Sequence, residues 1–243
     1  MQTSPAGTNP LLAKLSTYAD LDVEDRMLLR EVCADVRYVT ANTDLISQGD
    51  APEGVFLVLE GFACRYKLRQ TGVRQIMAYL VPGDLGDLDV TLLDRMDHAI
   101  GTLSACTVAR LAPETVQALL RRPKLAAALR KSALVDEATA REWLVNVGRR
   151  SAPERIAHLF CELLGRLRVI GYTDGNSYML PLTQVDLADT TGLTSVHINR
   201  SLQDMRKAGL IELRRRRLTI LDLPGLVQLA EFDPSYLHLA SGA

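Results

Sequence analysis

The chain has 243 residues, 47% apolar and 23% charged, a balance that excludes fibrous and disordered classes. No run approaches the roughly 18 apolar residues of a membrane helix, and residues 1–10 lack the basic-then-apolar pattern of a signal peptide, so a cytoplasmic protein with no membrane contact is expected. Net charge is −1 but uneven: residues 149–221 carry 12 basic and 7 acidic side chains, against 16 and 19 in residues 1–148 and none and 3 in residues 222–243, which points to one polyanion-facing segment.

In chain order, residues 1–20 read as a loose lead-in followed by a short helix. Residues 22–34 read as a helix carrying Val23, Met27, Leu28 and Val32 at helical spacing. Residues 36–112 change character. Short apolar runs alternate with turn residues, as in Val55–Leu59 after Pro52-Glu53-Gly54 and Ile76–Val81 before Pro82-Gly83-Asp84. Closely spaced strands of this kind predict an antiparallel β-barrel or sandwich. From Pro113 to Arg150 the pattern is helical, and the 24 residues 124–147, free of Gly and Pro, would run about 36 Å. Such a helix is either a seam between two copies or packed only on its own barrel. Leu125 and Leu129 suit a seam, although Ser132, Asp136 and Thr139 continue that stripe poorly. The four cysteines, Cys33, Cys64, Cys106 and Cys161, stand at least 31 residues apart, which suits buried small hydrophobes better than a metal site or redox pair.

Gly148 and Ser151-Ala152-Pro153-Glu154 mark the next boundary, with Ser151 and Glu154 spaced for a capping box and Pro153 in the first turn. Ile156, Leu159, Phe160, Leu163, Leu164 and Leu167 then make one broad apolar face. Gly171 to Ser177 reads as a loop and Tyr178–Leu182 as a short strand. Residues 183–211 carry the chemistry. A helix over roughly Gln184 to Thr190 contains small Ala188, Gly192 supplies a sharp turn, and Thr194 offers a cap to a second helix. On that second helix Ile198, Leu202 and Met205 share one side, while Val196, Arg200, Gln203 and Lys207 point away, flanked by His197 and Asn199. Arg, Asn, Gln and an apolar group on one outward face are what major-groove reading requires. Two short strands follow, joined by Arg214, Arg215, Arg216 and Arg217, a tip suited to the phosphate backbone.

The order of barrel, long helix and winged helix-turn-helix resembles the Crp/Fnr family of bacterial transcription regulators, from about residue 40 to 222. The most specific stretch is Leu182 to Ile211, above all Gly192-Leu193-Thr194 with Asn199-Arg200. The barrel is similar to a cyclic-nucleotide-binding domain through Gln48-Gly49-Asp50, Val55-Phe56 with Leu59, Glu60-Gly61, and Pro82-Gly83-Asp84 with Gly86-Asp87. The resemblance implies a symmetric dimer on a palindromic site in double-stranded DNA, with Ser195, Val196 and Arg200 at the base-reading positions and RNA polymerase as a partner. It also implies a small-molecule effector in the barrel, of unspecified identity, in a pocket formed around Gly86, Asp87, Arg95, His98 and Ala99. Members that bind cyclic AMP carry a Glu after the cassette glycine and then an Arg-Ser or Arg-Thr pair. Here Asp87 takes the first position, and His98 and Ala99 fall on the pair, which leaves Arg95 as the nearby arginine for a cyclic phosphate. Oxygen-sensing members carry an N-terminal cysteine cluster, and no cysteine precedes Cys33.

These readings predict an α+β chain. Residues 1–112 form an antiparallel, jelly-roll sensor β-barrel with short leading helices. Residues 113–148 form the connecting and dimerisation helix, 149–222 a winged helix-turn-helix, and 223–243 a tail. A second reading is a cyclic-nucleotide-binding regulatory module whose helix-turn-helix does not bind DNA specifically; it predicts no steep salt dependence on duplex DNA. Nucleophile-elbow, zinc-helix, Walker and dinucleotide motifs do not occur in the sequence, so no enzyme and no metal are expected.

Overall fold

The structure is a computed structural model that describes residues 9–33 and 35–239. The expected lead-in over residues 1–8 and the last four residues of the expected tail lie outside the described residues. Helix α1 (Pro10–Ser16) is capped by the Asn9 side chain, which accepts from Leu12 N at 3.0 Å, and α2 (Val23–Glu31) starts at an Asp22–Asp25 capping box. The stripe expected on α2 is partly reversed. Val23 and Met27 face solvent, while Leu29 is fully buried with Leu28 and Val32 beside it. The cause is electrostatic. Asp25, one turn before Leu29, is buried against Arg122 Nε at 2.8 Å, and Asp22 and Glu24 hold the same guanidinium, so this face turns inward.

Eight strands follow: β1 (Val36–Val39), β2 (Asp44–Ile46), β3 (Val55–Glu60), β4 (Ala63–Leu68), β5 (Arg74–Leu80), β6 (Leu85–Gly86), β7 (Ala99–Thr102) and β8 (Cys106–Leu111). They pair antiparallel in two sheets, β1-β8-β3-β6 and β2-β7-β4-β5, the strand order of a jelly roll. Leu57, Val58, Leu80 and Ile100 share one buried apolar cluster with Leu11 and Leu15 of α1.

Helix α3 (Pro113–Leu120) leads into α4 (Pro123–Arg149), with Pro123 in its first turn. The seam stripe is corrected here. Leu125 and Leu129 are buried in the barrel's own apolar core, Ser132 and Thr139 are buried too, Thr139 donating to the Val135 carbonyl of its own helix, and Asp136 pairs with Arg65 at 3.3 Å. The solvent-facing residues of α4 instead include Ala127, Arg130, Leu134, Glu137, Arg141 and Leu144, three and four apart, with Leu134 59% and Leu144 75% exposed.

Helix α5 (Ala152–Val169) opens where Glu154 accepts from Ser151 N at 2.7 Å, and its six expected apolar positions are all buried. Then come β9 (Thr173–Asp174), β10 (Ser177–Met179), α6 (Gln184–Thr191), α7 (Ser195–Lys207), β11 (Ile211–Arg214) and β12 (Arg217–Ile220), with the four strands in the order β11-β12-β10-β9. The expected tail is structured within the described residues. It contains α8 (Leu223–Ala230) and a 3₁₀ turn (Pro234–Leu237), and it lays Phe232 and Tyr236 against buried His158 of α5. One apolar core joins α5, α6 and α7 to Phe62, Cys64, Ile76 and Tyr79 of the barrel.

Candidate nucleic-acid interface

Helices α6 and α7 are set by their ends. Thr183 and Asp186 form a capping box at the start of α6, and Gly192 closes it at φ +67°, a conformation that costs glycine nothing. Arg155 fastens the turn from α5, donating to the Thr191 carbonyl at 2.8 Å and to the Arg150 carbonyl at 2.8 Å. This arginine does not stand out in the sequence, since its role is to satisfy carbonyls left over at two helix ends. Thr194 caps α7 by accepting from His197 N. Ile198, Leu202 and Met205 are buried, each 2% exposed or less, and anchor the helix.

That anchoring leaves Ser195, Val196, His197, Asn199, Arg200 and Gln203 outside, with Val196 76% exposed. Gln203 donates to Asn199 Oδ1 at 2.8 Å, and Asn199 reaches Gln184 of α6 at 3.5 Å, so three amides lie in one row. Arg200 has only a 4.0 Å approach to Asp204 one turn on, which leaves its guanidinium 83% exposed and available. An apolar group, amides and a guanidinium on a fixed, protruding helix match the donor and acceptor edges of base pairs.

The β11–β12 hairpin lies beyond α7. Arg214 pairs across the ladder with Arg217, and Arg215 and Arg216 are the two turn residues, at φ +49° and +62°. Two consecutive positive φ values define the type I′ turn, which Asn-Gly fits best. Arginine in both positions is strained, at about 1–2 kcal/mol per residue. Arg214, Arg215 and Arg216 are exposed and Arg217 is half-buried, with Arg214 leaning on Glu212 at 2.8 Å.

A cavity of about 590 Å³ lies between the second barrel sheet, the segment after β6, and α4. Of the five residues expected there, Asp87 and His98 line it. Gly86 and Ala99 are buried in strands, and Arg95 turns away, donating to the Gly49 carbonyl at 2.9 Å. Arg65 of β4, not anticipated from sequence, is the arginine in the wall. It is held by Asp87 at 3.1 Å and Asp136 at 3.3 Å. His98 sits between Asp97 at 2.7 Å and Asp87 at 3.0 Å; burial works against its charge, but the two carboxylates raise its pKa above the ordinary value. Asp89 and Glu137 add two more carboxylates beside Leu88, Leu92 and Leu129.

Two family models match the chain: a Crp-like helix-turn-helix domain over residues 154–229 and a cyclic nucleotide-binding domain over residues 36–123. The nitrogen fixation regulation protein FixK of Bradyrhizobium diazoefficiens is 29% identical over 187 residues, spanning 76% of this chain and 77% of that one. The transcriptional activator protein FnrL of Cereibacter sphaeroides is 27% identical over 221 residues, 88% of each chain. The fold is similar to that of FixK2 from Bradyrhizobium japonicum, with a TM-score of 0.71 at 22% identity over 80% of this chain and 96% of that one. The chain belongs to the Crp/Fnr family of transcription regulators.

Within this Crp/Fnr protein the barrel's residues do not fit a cyclic nucleotide. A cyclic phosphate leaving water must meet a free cation or converging N–H donors. Arg65 is already shared by two carboxylates, His98 is shared by two, and Asp89 and Glu137 add further negative charge. Among the described residues no three or more His, Cys, Asp or Glu side chains are grouped to hold a metal ion, and no helix is long and apolar enough to cross a membrane.

Proposed function

We propose that this Crp/Fnr regulator works as a cytoplasmic homodimer that reads a palindromic operator, with α7 in successive major grooves about 34 Å apart and the arginine hairpin on the flanking phosphates. The observation that carries the reading is the face of α7: Val196 and Arg200 stand free on a helix whose opposite side is locked into the core. Arg200 reads guanine, Asn199 and Gln203 suit adenine, and Thr194, Ser195 and His197 lie at the end of the helix that enters the groove. The seam between copies lies on the solvent-facing row of α4, where Leu134 and Leu144, large apolar side chains that a second helix would cover, stand exposed among Arg130, Glu137 and Arg141. Control of transcription then brings the dimer to RNA polymerase. The barrel cavity takes an effector other than a cyclic nucleotide. Selection from a random duplex library tests the reading. A palindromic consensus, bound with a log K against log salt slope of several units, is expected; recovery of no consensus, or binding independent of salt, would refute it and return the helix-turn-helix to a structural role.

A further inference from the structure

We propose that Arg74 is a positioning residue for operator reading, holding the reading head to the barrel at a fixed angle without touching DNA. The inference rests on the dimeric operator reading above. Arg74 begins β5, and its guanidinium is forked between two carboxylates of α6, Nη2 on Asp186 at 2.5 Å and Nε on Asp189 at 2.7 Å. Two further bonds run along the same strand. Gln75 donates to the Thr190 carbonyl at 3.2 Å, and the Tyr79 hydroxyl is hydrogen-bonded to Thr190 Oγ1. Asp186 is also the carboxylate that caps α6, accepting from Thr183 N at 2.8 Å. The pair therefore grips α6 where its helix begins, and Gln184, two residues earlier, touches Asn199 on α7.

A planar fork onto two separate anions fixes direction as well as distance, which a single ion pair does not. The docking leaves the reading face open, with Val196 and Arg200 exposed while α6 is held, so the contact orients the head and does not mask it. The same strand reaches the effector cavity, since Met77 and Ala78 line it three and four residues after Arg74. One strand thus carries the cavity wall and the head's anchor. In a dimer the anchor matters most for the second half-site. A head free to turn about the joint at Arg150 and Ser151 lowers the effective concentration at which the second head meets its half-site.

The experiment compares wild type, Arg74→Ala and Asp189→Asn on two probes: a palindromic duplex selected by the wild-type protein, and the same duplex with one half-site scrambled. Arg74→Ala should lose about ten-fold or more on the palindrome and less than about two-fold on the single half-site, with the salt slope unchanged. Asp189→Asn should lose less, in the same pattern. Three outcomes overturn the proposal: palindrome affinity within about two-fold of wild type, equal loss on both duplexes, or a slope shallower by about 0.9, the signature of a direct phosphate contact. Should Arg74→Ala fail to fold, Asp189→Asn decides alone, since loss confined to the palindrome supports the positioning role and no loss refutes it. A wild type that does not prefer the palindrome fails at the operator reading, before Arg74 is in question, and overturns the inference with it.

Discussion

The wing turn sets stability against binding, and replacing Arg215-Arg216 with Asn-Gly separates the two. Both arginines sit at positive φ, +49° and +62°, a region that costs an ordinary side chain about 1–2 kcal/mol. Asn-Gly is the natural occupant of a type I′ turn, and the extra chain entropy that Gly loses on folding takes back about 0.5–1 kcal/mol. The double substitution should therefore stabilise the protein by about 1–3 kcal/mol, a rise in Tm of roughly 2–12 °C for a chain of this size. DNA binding should move the other way, weakening on all sequences, with the slope of log K against log salt shallower by about 0.9 for each phosphate the wing no longer neutralises. Differential scanning calorimetry without DNA and fluorescence anisotropy across a salt series read the two effects. Gln at both positions is the control, since it removes charge while keeping the strain, so it should reproduce the weaker binding with little of the gain in Tm. A double substitution that leaves Tm unchanged or lower refutes the strain argument, and an unchanged salt slope removes the turn from the DNA interface.

Arg200→Ala should cost specific binding about 1–3 kcal/mol while random duplex binds nearly as before, because alanine cannot make the bidentate hydrogen bonds to a base edge; equal weakening on both duplexes would place Arg200 on a phosphate. Leu134→Glu with Leu144→Glu should give a folded monomer by sedimentation, since both side chains are exposed in the single chain and the proposed seam would bury them; a surviving dimer places the seam elsewhere. His158 is fully buried, and burial, with Arg150 nearby, pushes its pKa down to about 4 despite Glu142. The unfolded chain therefore binds a proton near pH 6.5 that the folded chain refuses, so stability is complete above that pH and falls as pH drops from there toward 4. Chemical denaturation across that window should show a slope of at most about 1.4 kcal/mol per pH unit from this group, removed in His158→Phe; an unchanged slope would assign the dependence to other groups.

The reading head was legible because its signals are local. Gly192 and Thr194 punctuate two helices within three residues, and the outward set of Val196, Arg200 and Gln203 follows from one helical wheel. The cavity was less legible. Arg65 meets Asp87 and Asp136 only because β4, the turn after β6 and α4 converge, and nothing near Arg65 in the chain signals that meeting. Arg95, closer in sequence to His98, is drawn instead to a loop carbonyl at Gly49. On α4 a helical wheel shows two usable stripes, and periodicity alone does not say which one meets the protein's own barrel. Leu125 and Leu129 went to the barrel because α1 and the sheets already offer apolar partners there, leaving Leu134 and Leu144 exposed.

The same limit explains why the change in charge and pattern near residue 148 is a boundary of the chain and not of its packing. Ile76 and Tyr79 of β5 point away from the barrel interior, while Leu80 and its neighbours fill it. On a free-standing barrel that outer face would expose apolar and aromatic area to water. Here Phe160, Leu164 and Ala188 of the reading head join the same core, and Trp143 of α4 closes it, stacking edge-on to Tyr79 at 5.6 Å and donating to buried Glu162 at 2.8 Å. Around this apolar centre the contacts are ionic, as in Arg166 to Asp84 at 2.6 Å and Arg74 to α6. Apolar burial alone would hold the head in place without fixing its angle, because it has no direction. The ion pairs supply the direction, and one of them, Arg74 to α6, comes from β5, whose Met77 and Ala78 also wall the barrel cavity. A ligand that moved β5 or α4 would therefore act on the angle of the head before it changed the area buried.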